Sequence, residues 1–258
     1  MLGPDEKLRG RRALVTGGGQ GLGAAIVERL ARAGCAVAVH YHSSRDGAAE
    51  VVRQARDLGA RAESFAADLT RRESVAELLA AAGEFLGGLD ILVNNAGDLV
   101  ERRLLADIDA PYWQRVLDVN LSSLYGVTQA AVPLLVAAPA GASIVNLASL
   151  AGRKGGHPGS LVYSTAKGAV LTWTRALAVE LAPQGVRVNA VAPGLILGTR
   201  FHATHTTDDS ARATVAGIPL ARAGTPDDVA RAVAYLASEY DGFITGATLD
   251  INGGVYCA

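Results

Sequence analysis

The stretch Ala13-Leu14-Val15-Thr16-Gly17-Gly18-Gly19-Gln20-Gly21-Leu22-Gly23 decides the fold. Ala13 to Val15 read as a short buried strand, the glycines as a tight turn, and the alanine-rich run from Gly21 to Ala33 as a helix. A glycine-rich turn alone has a purely conformational explanation. Between a strand and a helix start it becomes a phosphate cradle, because the helix N-terminus offers N–H groups and a partial positive charge. Gly17 and Gly21 would let the backbone approach a pyrophosphate, and Gly23 would permit close packing of helix and strand.

Working outward, the same alternation continues along the chain. Short runs dominated by Val, Ile, Leu and Ala span Ala36 to Tyr41, Arg61 to Ala66, Ile91 to Val93, Ser143 to Leu147, Val186 to Val191 and Thr248 to Ile251. Their near-continuous apolar character fits strands buried on both faces. Helical patterns lie between them, at Gly47 to Leu58, Glu73 to Leu86, Trp113 to Ala137, Leu161 to Leu181 and Asp227 to Ser238. Thr70 to Glu73 has capping-box spacing, and Thr225 precedes a proline at the first helical position. The expectation is an α/β chain, one domain over residues 1–258, with a doubly wound sheet of about seven parallel strands and helices on both faces. The polar stretch 195–218 interrupts the alternation after strand six. It is expected to be an irregular lid at the carboxyl ends of the strands.

Bulk properties narrow the function classes. The chain has 258 residues, half of them apolar, and a formal charge of −1, which argues against a nucleic-acid footprint. Cys35 and Cys257 make no disulfide framework and suit a reducing compartment. No apolar run reads as a membrane span and the first ten residues lack a signal-peptide core, so a cytoplasmic location is expected.

The chemistry gathers around Tyr163 and Lys167, four residues apart on a helical stretch, with Ser149 fourteen residues before Tyr163. A phenol is a poor acid/base at neutral pH, but an ammonium on the same helical face would stabilise phenolate and lower its pKa. Tyr163 would then move a proton to or from a carbonyl oxygen, Ser149 would hydrogen-bond that oxygen, and Asn120 would orient a water. Lys167 could also hold a nicotinamide ribose. Such a pair is common on ordinary helices, so its weight comes from the glycine turn upstream. For the cofactor, strand two ends without an acidic residue, in His40-Tyr41-His42-Ser43-Ser44-Arg45. A carboxylate there would hold ribose hydroxyls and favour NAD. Its absence leaves His42, Ser43, Ser44 and Arg45 to donate to a 2′-phosphate, so NADPH is expected over NADH. Asp68 is placed to accept from an adenine amine.

In this order, Thr16-Gly17 to Gly23, Asp68, Asn94 to Gly97, Asn120, Ser149, Tyr163, Lys167 and Pro193-Gly194 resemble the short-chain dehydrogenases/reductases, from about Arg11 to Gly254. The resemblance implies a Rossmann-type seven-stranded sheet, an Asn120-Ser149-Tyr163-Lys167 tetrad and a homotetramer or homodimer. It also implies cofactor contacts at Gly17, Gly19, Gln20, Gly21, Leu22, Leu69, Asn95, Ala96, Gly97, Tyr163, Lys167, Pro193, Gly194 and Ile196. Three positions depart from the pattern. Gly198 stands where a threonine is usual, with Thr199 one later. Gln20 occupies a slot where many NADPH-dependent members carry arginine. The Ser149 to Tyr163 interval is one residue longer than usual.

Within the family the chain is similar to reductases of sugar-derived keto acids, the deoxy-hexulose uronate reductases, through Asn95 to Arg103, the long Ser149–Tyr163 loop and Phe201-His202-Ala203. Arg102, Arg103, Arg153, Lys154, Arg200, His202 and His205 fall on loops near the expected pocket, and a cationic rim suits a carboxylate. Arg153, Lys154, Arg200 and His202 are the substrate candidates. The substrate expected is a small keto or aldehyde acid, with 3-oxoacyl carrier-protein reduction as the alternative. A non-catalytic NADPH sensor would not need Ser149, Tyr163 and Lys167 together. A metal site on His202 and His205 lacks a third ligand, so no metal is expected.

Overall fold

Strand β1 (Arg12–Val15) lies inside a sheet whose every pairing is parallel. It is flanked on one side by β2 (Ala36–Tyr41) and β3 (Ala62–Ala66), and on the other by β4 (Ile91–Asn94), β5 (Ala142–Leu147), β6 (Val186–Pro193) and β7 (Thr248–Ile251). The seven strands run in the order β3-β2-β1-β4-β5-β6-β7, and the computed structural model describes residues 3–238 and 242–258. The order reverses direction between β1 and β4, and there the loops at the carboxyl ends diverge to leave a crevice.

Side chains alternate between two cores, as a pleat requires. Ala13, Val15, Val37, Val39, Ile91 and Val93 point to one face, against α2 (Gly21–Arg32), α3 (Arg45–Asp57) and α11 (Pro226–Ala237). Leu14, Ala38, Leu92 and Ile144 point to the other, against α4 (Arg72–Leu86), α6 (Ser123–Val136) and α8 (Leu161–Leu181). Both faces are covered, which is why these strands read as apolar runs rather than as alternating ones.

Helix ends show where local reading succeeded and where it did not. Thr225 caps α11 in a reciprocal box with Asp228. Thr70 caps nothing: its N–H and hydroxyl both donate to Asp68 Oδ1, and α4 begins at Arg72 without a side-chain cap. The expected helix from Trp113 to Ala137 starts earlier, at α5 (Ala110–Leu117), where Asp109 accepts from the Tyr112 N–H and Pro111 lies in the first turn. It passes through a π turn at Asp118–Ser122 before continuing as α6. Although no membrane-spanning run was expected, the continuous helix Ala110–Val136 is long and apolar enough in composition to cross a bilayer. Val127, Ala131 and Leu135 nevertheless lie in the core between α4, α8 and the sheet. The lid is not irregular but holds α9 (Arg200–His205) and α10 (Asp208–Ala216), capped by Thr199 and Thr207. The remaining helices are the short α1 (Pro4–Leu8) and α7 (Leu150–Lys154).

Candidate active site

A cleft of about 980 Å³ opens at the carboxyl ends of the strands, running from Ser43 past the glycine turn to Tyr163 and under the lid. Its floor is the turn between β1 and α2. Gly23 is tied to that floor by contact: a Cβ there would lie 2.1 Å from the Gly17 carbonyl oxygen. The close approach is therefore of helix to turn, not of helix to strand as the spacing suggested. Thr16 and Asn95 frame the turn from the β4 side. The Asn95 amide donates to the Thr16 and Gly17 carbonyls, and Thr16 Oγ1 accepts from the Asn95 and Ala96 N–H groups.

The candidate catalytic side chains arrive from three elements. Ser149, two residues after β5, caps α7 by accepting from the Ala151 N–H, and its hydroxyl lies beside the Tyr163 phenol. Tyr163 and Lys167 sit one turn apart on α8. Lys167 is buried and donates to the Leu147 carbonyl at 2.8 Å, and its Nζ lies 5.8 Å from the Tyr163 ring centre. Burial lowers the Lys167 ammonium to about 8. Burial pushes the Tyr163 phenol up to about 12, with the Ser149 hydrogen bond pulling the other way. The expected lowering of the phenol by Lys167 is therefore not seen: Leu147 holds the ammonium, and desolvation outweighs the rest.

Asn120 lies in the π turn and does not line the cleft. Its Nδ2 donates to the carbonyls of Asp98 and Val116, and its Oδ1 accepts from the Asp98 N–H. With both amide protons engaged and its oxygen accepting from Asp98, the side chain braces the Gly97-Asp98 loop. Gly97 completes that contact, since a Cβ would come within 2.8 Å of Asn120 Oδ1 and 3.0 Å of Lys167 Nζ.

Of the expected cofactor contacts, Gly17, Gly19, Gln20, Gly21, Leu22, His42, Ser43, Asn95, Ala96, Gly97, Tyr163, Lys167, Pro193, Gly194 and Ile196 line the cleft, and Ser44 joins them. Three do not. Arg45 opens α3 and stays exposed outside the cleft, while Asp68 and Leu69 lie behind it, with the Asp68 carboxylate accepting from Thr70. Thr199 also lines the cleft, opposite Gly21. His40 is a floor residue that sequence reading overlooked, although a histidine inside an apolar strand was the available signal.

The basic loop residues separate sharply. Arg153 is withdrawn from the substrate set: it makes a two-point ion pair with Asp250, stacks toward Tyr256 and does not line the cleft. Arg103 pairs with Glu101 and Asp109. Arg102 donates to the carbonyls of Pro158 and His205, joining two loops to the lid. Lys154 and Arg200 line the cleft with no hydrogen bond or ion pair to the described residues. His202 lines it too, bonded through Nδ1 to Thr206, and burial lowers its pKa to about 4, so it is neutral. Phe201 packs its ring 5.9 Å from that of Tyr163, and His205 Nε2 lies 3.3 Å from Asp98 Oδ1. Among the described residues no group of three potential ligands could hold a metal ion.

A family model described as enoyl-(acyl carrier protein) reductase matches residues 17–256. The chain belongs to the short-chain dehydrogenase/reductase family. It is 42% identical to nodulation protein G of Azospirillum brasilense over 243 residues, covering 94% of this chain and 97% of that one. It is 37% identical to a 3-oxoacyl-[acyl-carrier-protein] reductase of Staphylococcus epidermidis, covering 95% and 99%. The crystal structure of NADH-dependent reductase A1-R′, responsible for alginate metabolism, superposes with a TM-score of 0.90 at 32% identity, covering 98% of this chain and all of that one. As a member of this family the chain is a nicotinamide-dependent oxidoreductase interconverting a carbonyl and an alcohol. The cleft fits that cofactor: it crosses the switch point of the sheet, and its glycine turn meets a helix N-terminus where phosphate is stabilised.

Proposed function

We propose that the protein reduces a small keto or aldehyde acid of sugar origin, using NADPH, in the cytoplasm. The observation that carries the substrate class is the pair Lys154 and Arg200, two cations on the cleft wall that make no ion pair with a carboxylate among the described residues. The bound cofactor supplies the hydride. Tyr163 donates the proton to the carbonyl oxygen, its phenol being protonated at neutral pH. Ser149 hydrogen-bonds the same oxygen where charge develops. Lys167 holds its ammonium one helical turn away, opposing the charge left on the phenolate, and Asn120 fixes the Gly97 loop against it. For the cofactor, the wall at the end of β2 is His42, Ser43 and Ser44 with no acidic lining residue. Gln20, His42, Ser43, Gly19, Gly21 and Leu22 are assigned to its adenosine and phosphate half, and Asn95, Ala96, Pro193, Gly194 and Ile196 to the nicotinamide half.

The 3-oxoacyl carrier-protein alternative is favoured by the similarity to the Staphylococcus reductase. The two separate on purified enzyme. Keto-acid reduction should exceed acetoacetyl-thioester reduction, and Lys154→Ala and Arg200→Ala should raise KM for the acid about tenfold or more, leaving its neutral ester much less affected. Equal effects on acid and ester, with the thioester the better substrate, would eliminate the keto-acid reading. Tyr163→Phe should abolish turnover while cofactor Kd, read by fluorescence titration, stays within about twofold. For the cofactor, kcat/KM should be higher with NADPH than with NADH, and Ser43→Asp should reverse the order by repelling the 2′-phosphate.

A further inference from the structure

We propose that His40 is a positioning residue that sets the shape of the phosphate-binding turn and locks it to the adenosine side of the cleft. The proposal rests on reading the cleft as a dinucleotide site.

The imidazole is 2% exposed, near the carboxyl end of β2, one residue past the last pairing with β1. Both ring nitrogens are engaged. Nδ1 lies 3.0 Å from the Gly17 N–H, and Nε2 lies 3.1 Å from the Ala67 carbonyl oxygen. An amide can only donate and a carbonyl can only accept, so the tautomer is dictated: Nδ1 is bare and Nε2 carries the proton. Burial keeps the ring neutral, with its pKa lowered to about 4. The main chain of the same residue adds a third bond, its carbonyl accepting from the Gly18 N–H at 2.8 Å.

Two consequences follow. First, the amides of Gly17 and Gly18 both point at His40, so the anion is left to the amides that follow, at the N-terminus of α2 where no intrahelical acceptor exists. Second, one side chain joins the β1–α2 turn to Ala67, the residue between β3 and the Asp68 turn. The Ala67 N–H in turn donates to the Tyr41 carbonyl. The phosphate cradle and the wall beneath the adenosine thus share one rigid link. Tyr163 and Lys167 stand on a different element and make no bond to it.

The substitutions His40→Asn and His40→Phe separate this role from simple filling of space. In asparagine Oδ1 falls at the same bond distance from the backbone as Nδ1, so the Gly17 bond survives while the Ala67 bond is lost. Phenylalanine nearly preserves the volume and loses both. The measurement is Kd for NADP+, NAD+ and ADP by calorimetry, together with kcat and the KM for substrate at saturating cofactor. His40→Phe should weaken all three ligands about tenfold, and His40→Asn less than His40→Phe, with kcat changed less than Kd. A residue that only fills the core predicts the reverse order, phenylalanine near wild type and asparagine worse, and that order would overturn the proposal. Should His40→Phe fail to fold, imidazole nitrogen NMR of the wild type decides: a neutral ring with a bare, hydrogen-bonded Nδ1 between pH 6 and 8 supports the role, and the opposite tautomer or a solvent-exposed ring refutes it. If wild type binds neither dinucleotide nor ADP, the dinucleotide reading fails and takes the proposal with it; if wild type binds and the order is reversed, only the role of His40 fails.

Discussion

At the residue scale, Lys167 shows a functional group held against its own stability. Its ammonium is lowered by burial from 10.5 to about 8. Between those values the unfolded chain binds a proton that the folded chain has released, so stability rises with pH across that window. At neutral pH the buried charge therefore costs stability, by about 3 kcal/mol at most, with roughly 1 kcal/mol returned by the bond to Leu147. Lys167→Met should raise the melting temperature at pH 7 while abolishing turnover, and the gap should shrink by pH 9.5. A variant less stable than wild type at pH 7 would contradict this. The same value sets the pH dependence of reduction. If the ammonium is the working form, the rate at saturating substrate should be level below pH 8 and fall about tenfold per unit above it. A Lys167→Arg enzyme that retained turnover should lose that limb, since guanidinium does not titrate there.

At the scale of elements, the Arg102 guanidinium binds the lid to the rest of the site by holding the carbonyls of His205 and Pro158. Phe201 against Tyr163 and His205 against Asp98 complete the closure. Arg102→Ala should speed amide hydrogen exchange in α9 and raise the substrate KM about fivefold, with little change in cofactor Kd. Unchanged exchange in residues 200–206 would show that the lid closes without Arg102. Beyond the lid, at the start of α11, Thr225→Ala should cost about 1 kcal/mol in denaturant unfolding, through loss of the box with Asp228. These elements differ in how far they could be read from sequence. The Thr225 cap and the positions of the strands rest on local chemistry, three-residue spacings and runs buried on both faces, and local chemistry is visible in a string. The same spacing misled at Thr70, because Asp68 two residues earlier competes for its hydroxyl. The π turn at Asp118–Ser122 has no local signature, since it answers a demand from Asp98 across the fold. Arg102 and Arg153 looked like part of a cationic rim because their partners Pro158, His205 and Asp250 are brought in by tertiary packing, while Arg103 is taken up by its near neighbours Glu101 and Asp109.

At the scale of the whole molecule, one side of the sheet is left with an apolar face that folding alone does not use. Helices α6 and α8 lie side by side there, joined by an edge-on contact of Tyr125 with Trp173. Leu161 and Val179 stand eighteen residues apart on α8, five full turns, and therefore on the same line along the helix. Val179 is 78% exposed, and Leu161, Tyr125, Val136 and Trp113 are exposed too. The homotetramer or homodimer implied by the family resemblance would cover this face with a second copy of the chain about a two-fold axis, α6 and α8 packing on their symmetry mates. A two-fold contact needs a self-complementary surface, and two neighbouring helices with apolar or small side chains along a line supply one. Light scattering should give about two or four times the 26.5 kDa chain mass. Val179→Arg would place like charges close to each other across the axis, and it should lower the mass while leaving the circular dichroism of the helices intact. Val179 lies about four turns along α8 from Tyr163, so a Val179→Arg protein that keeps its cofactor Kd would show that the cleft forms within one chain. A monomeric wild type at tens of micromolar, or a Val179→Arg protein of unchanged mass, would rule this face out as the contact.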